Sequence, residues 1–281
     1  MENDTVVQYE RMNREDGIRL EREFRDSPTY FEYAIEKRLE QCSPQETETV
    51  LRIIMELPPE RRARYRRVLT IAGLPISLPK YWRPVQSYTC QVFEVEKNSE
   101  EWVEIETMFH DSMPNHEIVR LQRSQNLLHL HKFYAETNRI ASDCAPPGGP
   151  TEHLLFHGTK GLSPATIISS QEGFDPRLAN SQNLWGPGAY FAEDASYANM
   201  YACRSTSNIR HMMVASVALG ACFDFGIRCD PSLRQPPRDV RSAGRFHSVS
   251  GITKDSRVYA VFNSNQCLPQ YVLSYKERDL E

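Results

Sequence analysis

The sequence predicts an α+β protein: a small helical amino-terminal region, then a larger domain that mixes strands and helices. Three observations lead there. Through the first eighty residues apolar side chains return at three- and four-residue intervals, the helical period, whereas beyond them several short segments alternate apolar and polar as strands do. Between the two textures "LPISLPKYWRP" carries three prolines in eleven residues, which forbids a long helix and marks an extended crossing. The late apolar segments are rich in β-branched and aromatic residues, which suit a pleated surface.

Taken in order, residues 1–82 form the helical region, whose role the sequence leaves unassigned, and residues 83–281 the main domain, with the boundary near Arg83. Ser27-Pro28 and Ser43-Pro44 each read as an N-cap followed by proline at the first helical position. In the main domain "YTCQVFEVE" is a half-buried strand, "SEEWVEIETMFHDSM" a helix with an acidic start, "EIVRLQRSQ" a strand and "NLLHLHKFYAETNRI" a helix. On that last helix His129 and His131 lie two apart, diverge, and are expected to face solvent. After Gly148-Gly149-Pro150 come four strands, "HLLFHG", "MVASVALGACFD", "RVYAVFN" and "YVLSY". Between them "GLSPATIISSQEGF" reads as a short helix, with Ser163 as N-cap, Pro164 next, Ile167 and Ile168 turned to the core and Gly173 terminating it.

Composition narrows the function classes. A chain of 281 residues, 40% hydrophobic and 25% charged, is long enough to bury a proper core. No apolar run approaches bilayer length, and the mixed charges of the first thirty residues are unlike a signal peptide. The seven cysteines are odd in number, scattered, and never two residues apart, so reduced thiols in a cytoplasmic or nuclear compartment are expected. A net charge of -4 gives no overall attraction to nucleic acid. The run "RRARYRR" could still grip phosphates, but it reads better as the solvated face of a helix begun at "PPER".

The chemistry is expected around residues 157–201. His157-Gly158-Thr159 stands at a strand end just before a helix, and a Gly-Pro-Gly turn precedes Tyr190-Phe191-Ala192, eleven residues before Tyr201. Two tyrosines walling a pocket could hold a flat heterocycle. His153 and His157, four apart on a strand, are too far apart to share a metal and lack a third ligand, so no metal is expected.

In order and spacing, "LLFHGT", "GFDPR", "GPGAYFAEDASYANMYA" and "VYAVFNSNQCLPQYVLSY" resemble the catalytic domain of poly(ADP-ribose) polymerase-type ADP-ribosyltransferases, the diphtheria-toxin-like group. The likeness covers roughly residues 85–281 and is greatest to the mono-ADP-ribosylating branch. It implies the ADP-ribosyltransferase fold of antiparallel sheets flanked by helices, NAD as co-substrate, and a protein acceptor, the enzyme itself included. The family's histidine, tyrosine and glutamate fall on His157, Tyr190 and Val258. The NAD-binding positions implied are His157, Gly158, Thr159, Arg177, Tyr190, Phe191, Ala192, Ala198 and Tyr201. On this reading the His157 ring donates to a ribose hydroxyl and the missing side chain of Gly158 lets backbone approach the nicotinamide amide. Tyr201 stacks on the nicotinamide ring, and Arg177 meets an NAD phosphate or a loop carboxylate.

Where this chain departs from the family, the departures carry meaning. Valine at 258 cannot stabilise an oxocarbenium-like transition state or activate a ribose hydroxyl for chain growth, a loss of about 3 kcal/mol. Single-unit transfer is the consequence. Ala198 stands where a serine often donates to the amide, one hydrogen bond fewer, worth about 1 kcal/mol. The loop "LANSQNLW", expected over the adenosine side, carries no glycine. Two other readings stay open: an inactive module that keeps the fold for protein or nucleotide binding, and an RNA-binding regulator built on the arginine run.

Overall fold

The computed structural model describes residues 78–83, 90–143, 152–204, 208–240 and 244–278. The chain divides into two units, Met1–Ala72 and Gly73–Glu281. The helices read in the amino-terminal region, the arginine run among them, lie outside the described residues. The second unit starts before Arg83, because Trp82 is buried among Leu127, Leu130, Phe133 and Ile140, its indole N–H donating to Gln270 Oε1 at 3.2 Å. Among the described residues no helix is long and apolar enough to cross a membrane.

One ten-stranded sheet organises this unit. Its strands are β1 Gln91–Glu94, β2 His116–Gln125, β3 Glu152–His157, β4 Ala189–Ala192, β5 Cys203–Arg204, β6 Arg210–Ala218, β7 Cys222–Asp224, β8 Ser248–Thr253, β9 Ser256–Val261 and β10 Cys267–Glu277. They run β1-β2-β10-β6-β3-β4-β9-β8-β7, with β5 alongside the start of β6, and all pairs are antiparallel except β7–β8. The helices are α1 Glu100–His110, α2 Leu127–Asp143, α3 Pro164–Ser169 and α4 Ala195–Asn199. This is the α+β architecture expected.

The central strands are buried on both faces, which explains their continuous apolar runs. Along β6, Met212 and Val214 join Trp102, Ile105 and Phe109 of α1 on one side, while Met213, Ala215 and Val217 join Ile167 and Ile168 of α3 on the other. The same alternation sends Phe156 and Leu155 of β3 to opposite layers. "MVASVALGACFD" does not continue as one strand. It breaks at Gly220, whose positive φ of 56° turns the chain, and β7 pairs at the far edge of the sheet. A Cβ on Gly220 would stand 2.6 Å from Ile140 Cγ2, so only glycine fits that corner.

Local signals act much as read at α1, where Ser99 accepts from the Trp102 N–H. At α3 they are corrected. Ser163 starts the helix without a side-chain cap bond, and the helix ends at Ser169, before Gly173. Gly173, at φ 61°, instead turns the chain beyond it, its N–H bonding Ser170 Oγ at 2.9 Å. Nor do the α2 histidines face water. The segment after α3 covers His129, which is buried and whose Nε2–H donates to Ser170 O at 2.8 Å, while burial pushes the His131 pKa down to about 4.

A buried ion pair joins α1 to the sheet, Arg123 of β2 meeting Glu101 at 2.5 Å with both side chains largely out of water. Removing one partner leaves the other charge uncompensated. Arg123→Met is therefore expected to cost about 3 kcal/mol in urea unfolding, and Glu101→Leu in the same background to recover most of it.

Candidate active site

β3 and β4 are held together where the chemistry is expected. His157 closes β3, and its Nδ1–H donates to the Tyr190 carbonyl of β4 at 2.7 Å. A carbonyl only accepts, so the proton sits on Nδ1 and the neutral ring keeps Nε2 as an acceptor. Burial enforces that neutrality, pushing the imidazole from 6.5 down to about 4. The ring is thus set to accept from a hydroxyl, the reverse of the donor role expected from the sequence. Phe174 and Phe191 wedge it in place, their centroids 4.8 and 5.2 Å from its own.

Gly158 comes next, and its missing side chain serves the protein before any ligand. A Cβ there would lie 2.3 Å from Ala198 O and 2.7 Å from Tyr201 Cβ, so glycine is what lets the end of α4 lie against the end of β3. The Lys160 N–H then donates to Tyr201 O at 2.6 Å, binding the two segments. Thr159 is turned into its own loop, its hydroxyl donating to Leu162 O at 2.6 Å.

Tyr190 and Tyr201 face one cavity of about 400 Å³, together with His157 and Gly158. The Tyr190 hydroxyl is engaged on both sides, accepting from the Trp185 N–H at 2.8 Å and donating to Gly186 O at 2.9 Å. Its ring lies nearly parallel to Trp185, 10° apart, and burial raises its pKa. Gly186, at φ 77°, is packed so that a Cβ would meet Leu233 O at 2.0 Å, which fixes the Gly-Pro-Gly turn beneath Tyr190. The glycine-free loop before it turns by another device, Asn180 Oδ1 accepting from the Gln182 N–H at 2.8 Å.

Phe191, Ala192 and Ala198 also line the cavity, all three buried. Two of the expected residues do not. Arg177 points to solvent and clasps the carboxylate of Asp175 with two parallel bonds of 2.9 and 2.7 Å; it is Asp175 that reaches the wall, its carboxyl held below the usual range by that guanidinium. Val258 is sealed off: fully buried on β9 between Ala192 and Gly251, it packs with Trp185, Tyr197, Val249 and Ala260. Sequence reasoning missed Tyr197, which lines the cavity with its ring 5.5 Å from that of Tyr201. The four-residue spacing of these tyrosines around one helix end was the available signal. Also missed were Lys160, Asn180 and Asn183 on the wall, and Leu162 and Leu178, exposed at its mouth. Among the described residues no group of side chains is arranged to hold a metal.

Gly158→Ala tests this assembly: the clash with Ala198 O is expected to cost about 2 kcal/mol in denaturant unfolding and to remove ligand binding in the cavity together with it.

Comparison with known proteins meets the geometry here. A family profile described as the poly(ADP-ribose) polymerase catalytic domain matches residues 99–248. The chain is 27% identical over 207 residues to human "Protein mono-ADP-ribosyltransferase PARP12", covering 72% of this chain and 28% of that protein. It is 25% identical over 224 residues to human "Protein mono-ADP-ribosyltransferase PARP11", covering 71% of this chain and 64% of the relative. To a probable poly [ADP-ribose] polymerase of Dictyostelium discoideum it is 27% identical over 207 residues, covering 71% and 58%. It spans less than two thirds of each. With its antiparallel sheet, its histidine and paired tyrosines around one cavity and a profile match over half its length, the chain belongs to the poly(ADP-ribose) polymerase catalytic-domain family.

Proposed function

We propose that this protein is an NAD-dependent protein mono-ADP-ribosyltransferase of the cytoplasm or nucleus. The observation that carries the proposal is the convergence of His157, Gly158, Tyr190 and Tyr201 on one cavity with an apolar residue, sealed from it, at the third family position. NAD places its nicotinamide against Tyr190 and Tyr201, its amide on the Gly158 backbone, and a ribose hydroxyl as donor to His157 Nε2. The bond from ribose to nicotinamide breaks with its electron pair leaving on the pyridine nitrogen, and an acceptor side chain attacks the ribose carbon, giving up its proton to solvent or to a carboxylate of the acceptor protein. Without a carboxylate at 258 the enzyme has no base to activate a second ribose hydroxyl. The reaction therefore stops at one unit, on a partner protein or on the enzyme itself.

The same observation at Val258, with the Tyr190 hydroxyl already engaged by the Trp185–Gly186 turn, favours a second reading: a module that binds NAD or a protein without turning NAD over. Incubation with labelled NAD and mass spectrometry of the products separates the two. Transfer of single ADP-ribose units supports the first, and NAD binding without transfer the second.

Under the first reading His157→Ala lowers transfer by ~100-fold or more. Val258→Glu does not confer chain growth, because the carboxylate enters an apolar layer; it instead destabilises the fold by about 3 kcal/mol, read in chemical denaturation. The pH dependence follows from the direction of the His157 shift. A ring held neutral to about 4 keeps NAD affinity level from pH 8 through 6.5, where an ordinary histidine would already titrate, and loses it as pH approaches 4. Since the folded value is depressed, its contribution to stability is likewise complete above 6.5 and is lost as pH falls from 6.5 toward 4. Titrating affinity and melting temperature over that range checks both.

A further inference from the structure

We infer that Lys160 is the diphosphate-binding residue of the cavity, gripping the anionic middle of the dinucleotide; this rests on the reading of the cavity as an NAD site. Two independent observations carry it. The first is the charge on the wall. Among the described lining residues only Lys160 and Asp175 are charged, since His157 is neutral. Asp175 is neutralised by the two bonds from Arg177, whereas the Lys160 ammonium enters no ion pair or hydrogen bond with a described residue. One positive residue with no counter-charge among the described residues therefore lines a cavity whose proposed ligand carries its negative charge on the diphosphate.

The second observation is the backbone. Lys160 sits at φ 57°, in the left-handed region that a lysine adopts only at a cost, and glycine stands on either side of the Thr159-Lys160 pair, at 158 and 161. The conformation is held by the bond from the Lys160 N–H to Tyr201 O and by the closed turn between Thr159 and Leu162. Glycine would take this conformation without strain, and at Gly161 a Cβ would meet nothing within 4 Å. Lysine at the strained position, with glycine used nearby at 158 and 161, is what a side chain kept for its charge would leave. Its place also fits. It lies two residues beyond Gly158, which the NAD reading sets against the nicotinamide amide, and two before Leu162, which is 43% exposed.

The test is calorimetric titration of the full chain with nicotinamide, ADP-ribose and NAD, for wild type, Lys160→Gln, Lys160→Arg and Lys160→Gly. The glutamine and glycine variants are expected to bind ADP-ribose and NAD about tenfold more weakly or worse, with a shallower salt dependence, and nicotinamide as wild type does. Lys160→Arg keeps most of the affinity. Lys160→Gly relieves the strained backbone, so its melting temperature stays level or rises while its ADP-ribose affinity falls, a divergence that a purely structural lysine would not give. ADP-ribose affinity unchanged in Lys160→Gln, or nicotinamide affinity falling in parallel with it, overturns the assignment. Wild type binding none of the three ligands overturns the NAD reading itself, and this inference with it.

Discussion

Where β3 ends, the backbone of Gly158 touches the carboxyl end of α4 so closely that no side chain could stand between them. Much of the candidate site depends on that contact. It brings Tyr201 over the cavity, lets Tyr201 O accept from Lys160, and leaves Tyr197 beside Tyr201 on the same wall. A helix of five residues has little stability of its own, so α4 is held by what it packs against rather than by its own hydrogen bonds. The site is consequently as precise as the sheet it leans on, and it would loosen if that glycine were lost.

A second constraint acts through the sheet. β3 and β4 are neighbours, and the bond from His157 to the Tyr190 carbonyl crosses between them. One interaction thereby fixes the ring's orientation, its tautomer and the polarity of its free nitrogen. Burial supplies the rest by disfavouring the charged form. The tyrosine on the other strand is locked in turn by the backbone on either side of the Trp185–Gly186 peptide, so its hydroxyl shapes the loop and its ring face serves the cavity. Around these groups the wall is largely apolar, which strengthens each remaining electrostatic interaction.

The chain lacks a carboxylate at the third family position, and the structure adds that the position is not merely apolar but covered. Trp185 and Tyr197 pack over Val258, and Gly251 on the neighbouring strand leaves room for the indole, whose Cζ2 lies 2.6 Å from where a Cβ would be. Under the proposed reading, chemistry in this cavity relies on positioning and on the groups that NAD and the acceptor bring, rather than on an acid at position 258.

The amino-acid sequence by itself determined the α+β class, the helices α1 to α3 and the strands β1, β2, β3, β6, β9 and β10, because periodicity, caps and turn residues act over a few positions and leave their mark locally, while the grouping of His157 with Tyr190 and Tyr201 was legible through the family resemblance of their motifs. Only the tertiary structure decided what each group can do. It showed that the Nε2 of the imidazole is left to accept rather than donate, that Arg177 is engaged by Asp175, that Val258 is sealed, that His129 is covered, and that Lys160 on the wall has no ion-pair partner among the described residues. Hydrogen-bond direction, burial and charge compensation arise between segments far apart in the chain, and no short window of residues contains both partners.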